Sequence, residues 1–172
     1  MLATAAIRDY ALKTGELDRA IKYLYQAYGL RVGHEIADAR DNGFVTVSLA
    51  LLLQKKGDRK AARTLTNGIA QICERIGRYR LCAAGHALAV ERDAALDSLR
   101  KALAHEGHPV YWWYTIDHDV ILAELRSDPR FQAMANSLRE SAAQQRALLE
   151  QMRVNGEVPA RLSGAVRAAT SH

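Results

Sequence analysis

Proline, cysteine, tryptophan and phenylalanine are scarce in this chain: three prolines, two cysteines, two tryptophans and two phenylalanines among 172 residues. Two cysteines, Cys73 and Cys82, are too few for a disulfide scaffold and too far apart for a zinc pair of the C-x-x-C kind. No apolar run reaches the roughly 18 residues of a membrane-spanning helix. The longest, around Phe44 to Leu53, is broken by Thr46 and Ser48. The segment from Met1 lacks the charged start, apolar stretch and small-residue cleavage site of a signal peptide, so secretion is not encoded in these residues. Val, Ile and Thr never gather into period-two runs bounded by turns, and no sheet is expected. A strong charge of one sign is missing as well. The 24 Lys and Arg against 19 Asp and Glu leave +5, and the aromatic group Tyr111, Trp112, Trp113 and Tyr114 carries no basic residue. Direct nucleic-acid contact is therefore not expected. Gly29 and Gly33 stand alone, without the strand-to-helix context of a phosphate loop.

What the chain does contain is helix-forming material. Ala, Leu, Arg, Gln and Glu dominate, residues that lose little rotamer freedom in a helix, and the 49% hydrophobic content over this length is enough for a substantial core. Gly15, Gly57 and Pro109 punctuate it. Two stretches, 12–27 and 53–69, repeat one arrangement: a helix ending in a basic residue, a turn Gly, and a small Ala five residues later, Gly15 with Ala20 and Gly57 with Ala62. A third stretch places Ala95 at the equivalent point, with Leu99 and Ala102 on the following turns. The three Ala positions are 42 and then 33 residues apart. This is close to a period of about 34 with one insertion of about eight residues.

The pattern resembles the tetratricopeptide repeat family, whose unit is a helix hairpin with a small-large-small order in its second helix. The first copy offers Ile7, Gly15, Leu17, Ala20, Leu24 and Ala27; the second Leu49, Ala50, Leu53, Gly57 and Ala62; the third Cys82, Ala83, Ala95, Leu99 and Ala102. Small residues at a crossing let two helix backbones approach closely while large ones fill the gaps beside them. Three positions depart from the pattern: Val90 stands where the third copy should have its turn Gly, and Arg59 and Thr66 fill large-apolar places in the second. The reading predicts three antiparallel helix pairs, at 2–13 with 17–29, 42–55 with 58–75, and 78–89 with 92–105. The insertion at 30–41, with His34 and Asp38, should form a short helix or loop.

Beyond Gly107 the pattern changes. Leu125, Arg126, Asp128, Pro129, Arg130 and Phe131 match the end segment that closes repeat arrays in large bacterial winged-helix transcriptional regulators, and the resemblance covers residues 1–158. Ser127 or Asp128 can cap a helix with Pro129 in its first turn, where a missing amide proton costs nothing. Phe131 is expected in the core. The helix should run to Val154 and stop at Asn155-Gly156. Phe131, Met134, Leu138, Gln145, Leu148 and Met152 form one stripe along it, whose Gln-rich second half is suited to pairing with another copy. The expected organisation is thus all-α: helical repeats over 1–106, an aromatic end segment and capping helix over 107–158, and a poorly ordered tail over 159–172.

Candidates for chemistry are weak. His105 and His108 are three apart rather than the four of a zinc-protease helix, and Gly107 with Pro109 ends the helix that would carry them. Asp117, His118 and Asp119 read as helix-end caps, with no nucleophile at a recognised spacing, so that Ala at His105, His108 or Asp119 should cost little stability. Trp112 and Trp113 cannot both point the same way, and sealing the third repeat is favoured over a binding role. No enzyme activity, metal or cofactor is expected. The resemblance implies a protein-interaction module of a bacterial signalling or transcription-regulating parent chain, with a peptide or neighbouring domain held on a concave face. In the repeat register that face takes Asp9 and Lys13 from the first copy, Val47, Leu51 and Lys55 from the second, and Arg80 and Ala84 from the third. The alternative is a homodimerisation module built on the long final helix. Cys73 and Cys82 flank the turn at Gly77-Arg78 symmetrically and can face one another, a disulfide being within reach if their Cα atoms lie within about 7 Å, although proximity alone does not show that the bond forms. The reduced form is favoured, with a cytoplasmic location; the alternative is the periplasmic portion of an anchored regulator.

Overall fold

The computed structural model describes residues 2–32, 39–105 and 112–158. It is all-helical, with no strand among the described residues. The helices are α1 (Leu2–Thr14), α2 (Leu17–Val32), α3 (Ala39–Lys56), α4 (Arg59–Cys73), α5 (Tyr79–Leu88), α6 (Arg92–His105), α7 (Trp112–Asp117) and α8 (Pro129–Val154), with a 3₁₀ helix at Val120–Leu125 between the last two. The six expected helices of the repeat region all form. Both helices flanking the expected insertion reach into it, α2 to Val32 and α3 from Ala39. Residues 33–38, with His34 and Asp38, lie outside the described residues, as do Gly107, His108, Pro109 and the tail from 159.

Each helix pair turns through a left-handed residue, and the hydrogen bonding of the turn is shared by the second and third pairs. Gly15 and Gly57 take the left-handed backbone, with φ of 79° and 95°. Val90 does the same at φ 65°, although a β-branched residue there is strained. At Gly57 the amide bonds back to Gln54 O and the next amide, of Asp58, to Leu53 O. At Val90 the amides of Val90 and Glu91 reach Ala87 O and His86 O in the same pattern, which satisfies the carbonyls that a helix end leaves orphaned. Val90 thus departs from the repeat in side chain but not in backbone. Five residues beyond the left-handed position inside each pair, Ala20, Ala62 and Ala95 are 5%, 7% and 0% exposed; the turn between the second and third pairs is left-handed too, at Gly77.

Helices pack in sequence order, α1 on α2, α2 on α3, α3 on α4, α4 on α5 and α5 on α6. The first helices of successive pairs also meet, α1 with α3 and α3 with α5. Ala11, Ala20, Leu24, Val45, Leu49, Leu52 and Ala62 form a buried cluster drawn from α1 to α4. Two glycines sit at tight crossings. A Cβ on Gly43 of α3 would collide with the Leu81 side chain, and one on Gly85 of α5 would lie 3.1 Å from Ile69 Cγ2.

Where α4 meets α5, Cys73 and Cys82 are fully buried with their Cα atoms 5.4 Å apart, and they form a disulfide. The approach follows from their symmetric placement about the turn. The bond itself corrects the expectation of two thiols: the packing of α4 on α5 brings both sulfurs to the same point of the crossing.

Packing density divides the chain into Met1–Gln132 and Ala133–His172. In the first unit the start of α8 is capped as its sequence requires: the Asp128 carboxylate accepts from the Arg130 amide at 2.9 Å, Pro129 occupies the first turn, and Phe131 is buried. The second unit contains the remaining helix, which ends at Gly156 with φ 76°.

Candidate functional site

A groove of about 1260 Å³ lies wholly in the first unit. Its floor is mostly apolar: Ala50 and Leu51 from α3, Ala62 from α4, Leu88 from α5, and Ile121 and Leu125 from the 3₁₀ helix, all buried, with the buried Thr66 of α4 among them. Its rim is polar and exposed. Lys55 at the end of α3 and Arg59, Arg63 and Asn67 of α4 contribute to it, as do Glu91, Arg92 and Glu124. The volume exceeds the roughly 300–1,000 Å³ typical of small-molecule pockets.

Why these residues line one space follows from the helix ends. Asp58 caps α4 by accepting from the Ala61 amide at 3.0 Å, which fixes Arg59 as the first helical residue. Arg63 then lies one turn further along the same face. The left-handed turn at Val90 brings Glu91 and Arg92 to the groove, while Asp119 caps the 3₁₀ helix through the Ile121 amide at 3.1 Å and so sets Val120 and Glu124. Some of the rim charges are engaged. Arg92 Nε donates to Asp128 at 3.0 Å, and Glu91 lies 2.6 Å from His86 Nδ1. Lys55, Arg59, Arg63 and Glu124 have no ion-pair partner among the described residues.

Of the expected contact residues, the groove brings together Leu51 and Lys55. Val47, at 1% exposure, and Ala84 are buried and do not line it. Asp9 is 2.8 Å from Arg8, Lys13 is exposed elsewhere, and the Arg80 guanidinium stacks 5.1 Å above the Phe44 ring. The residues the sequence reading did not select are Arg59, Arg63, Asn67 and Glu124. Arg59 was legible only as a mismatch to the repeat; its place on the rim explains why a charge is tolerated there. A second, shallower hollow of about 410 Å³ between α1 and α2 is lined by Ile7, Tyr10 and Tyr23, so Ile7 lies at the surface rather than in the repeat core.

The other chemical candidates resolve into structural contacts. His105 Nδ1 donates to Lys101 O at 2.9 Å, and its ring tilts against Tyr79. Asp119 is a helix cap, as its sequence position suggested, accepting from the Ile121 amide, and it also forms an ion pair with the buried Arg8. The side chains of Trp112 and Trp113 lie outside the described residues. Among the described residues no three His, Cys, Asp or Glu converge as a metal site would require, and no helix is long and apolar enough to cross a membrane.

Beside this geometry, comparison with protein-family models, with curated proteins and with solved structures finds no match for the chain.

Proposed function

We propose that the chain is a non-catalytic interaction module, built as a tetratricopeptide-like array, which holds a peptide or a neighbouring domain in the groove between α3, α4 and the 3₁₀ helix. The observation that carries this reading is the groove itself, apolar on its floor, charged at its rim and larger than a small ligand needs. The repeat reading is supported by the left-handed turn inside each of the three helix pairs, followed five residues later by a buried Ala, and by the contacts of α1 with α3 and α3 with α5. The resemblance of residues 125–131 to the end segment of regulator repeat arrays supports a bacterial signalling or transcription-regulating parent chain. The disulfide supports its placement in an oxidising compartment, as in a periplasmic portion of an anchored regulator, over the cytoplasm.

The test is site-directed photo-cross-linking in the native host. A photoreactive residue at Asn67 or Glu124 on the groove rim should capture a defined protein that the same residue at Lys22 does not. The purified partner should then bind the chain in a fixed ratio. Equal labelling from the rim and from Lys22 would count against the groove.

A second reading is homodimerisation through α8, favoured by the exposure of Leu148, at 59%, and of Leu149 beside it. It expects a mass that rises with concentration and falls to that of a monomer on truncation near residue 140.

A further inference from the structure

We propose that the segment held in the groove is an acidic, amphipathic peptide, bound with its apolar side chains on the floor and its carboxylates against Lys55, Arg59 and Arg63. The inference rests on the reading of the groove as a protein-docking site and names the chemistry of its occupant.

Charge complementarity carries it. Arg59 and Arg63 are one helical turn apart on α4, and Lys55 lies in the last turn of the preceding helix, so three cations contribute to the rim of the groove. All three are exposed, and none has an ion-pair partner among the described residues. Cations nearby are satisfied: Lys56 by Asp18, and Arg92 by Asp128. Of the carboxylates lining the groove, Glu91 is engaged by His86, which leaves Glu124 to set against the three cations. The balance of unengaged charge over an apolar floor is therefore positive. A neutral or basic segment would leave these cations crowded and partly desolvated, whereas Asp or Glu side chains flanking Leu or Phe would meet both surfaces at once.

A nucleic acid fits the same groove less well. Among the described residues no aromatic lines it, so bases have no stacking platform, and the buried aliphatic floor would have nothing to contact in a phosphate backbone.

Fluorescence anisotropy on the full chain tests the proposal. The probes are a labelled peptide of about 15 residues alternating Leu and Phe with Asp and Glu, the same peptide with Asn and Gln in place of every acid, and a labelled single-stranded oligonucleotide. Three rim charges, each worth a fraction of the energy of a tenfold affinity change, should favour the acidic peptide over its neutral twin by about tenfold at low salt. That preference should shrink as salt shortens the screening length. The variant Lys55→Gln with Arg59→Gln and Arg63→Gln should melt with the parent, since all three residues are exposed, and should bind both peptides alike. Equal binding of the two peptides by the parent chain would overturn the acidic occupant while leaving the groove as a docking site. Failure of the acidic peptide to bind would also overturn it, with cross-linking from Asn67 and Glu124 deciding separately whether the groove docks a protein. Tighter binding of the oligonucleotide, abolished in the triple variant, would overturn it in favour of nucleic acid.

Discussion

Arg8 of the first helix reaches Asp119 at the start of the 3₁₀ helix, Nη1 to Oδ1 at 3.2 Å, while its Nε donates to the neighbouring Asp9 at 2.8 Å. Arg8 is 2% exposed, so a guanidinium from the first helix is buried against a carboxylate far along the chain. Removing one partner of a buried pair leaves the other charge under-compensated. Asp119→Ala, which also deletes the cap on Ile121, should therefore lower stability by about 2 kcal/mol in chemical denaturation. Asp119→Asn keeps an acceptor for the cap and should lose less. An unchanged midpoint for Asp119→Ala would show that the pair contributes nothing.

Val90 provides a gain instead of a loss. It is 75% exposed and holds φ 65°, so its side chain contributes little packing while its backbone takes a conformation that suits glycine. Val90→Gly should stabilise the chain by about 1 kcal/mol, a rise of roughly 3 °C in melting temperature for a chain of this size. The converse change, Gly57→Ala, should lower it by a similar amount. A fall in melting temperature for Val90→Gly would mean that the turn is not left-handed in solution.

The cap of α8 makes acid stability sensitive to one residue. The Asp128 carboxyl is held well below the usual carboxylate range, first by the Arg130 side chain, then by the Arg130 amide, with Arg92 adding to it. A folded-state value below the unfolded one means stability that is fully present above the unfolded value and lost as pH falls through the folded one. Asp128→Asn should thus melt below the parent at neutral pH. The gap should begin to close below about pH 4 and narrow further toward the acid limit. A gap that stays constant across that range would exclude ionisation of Asp128 as its source.

The disulfide closes a short loop between two fully buried cysteines nine residues apart. Chain-entropy arguments for a loop of about ten residues give roughly 2–3 kcal/mol. Cys73→Ala with Cys82→Ala should lose that much, and thiol titration in denaturant, on protein purified from its native host without reductant, should find no free thiol. Two titratable thiols would return the chain to a reducing compartment.

Much of the local structure was legible in the residues themselves. Helix ends at Gly15, Gly57 and Gly156, the Asp128-Pro129 start of α8, and the burial of Ala20, Ala62 and Ala95 all follow from signals confined to a few residues, because backbone hydrogen bonding at a helix terminus is settled within one turn. The approach of Cys73 to Cys82 was legible for the same reason, since both lie beside one turn. Other features depend on which helix meets which. The close approach of Gly43 to Leu81, the burial of Val47, the pairing of Arg8 with Asp119 and the gathering of Arg59, Arg63 and Glu124 around one groove join residues far apart in the chain. A 3.6-residue period tells which face of a helix is apolar, but not which neighbour covers it or where cover is left incomplete. Periodicity and turn residues determined an all-helical chain with these helix ends; tertiary packing alone decided where its groove lies and which charges were left unpaired on its rim.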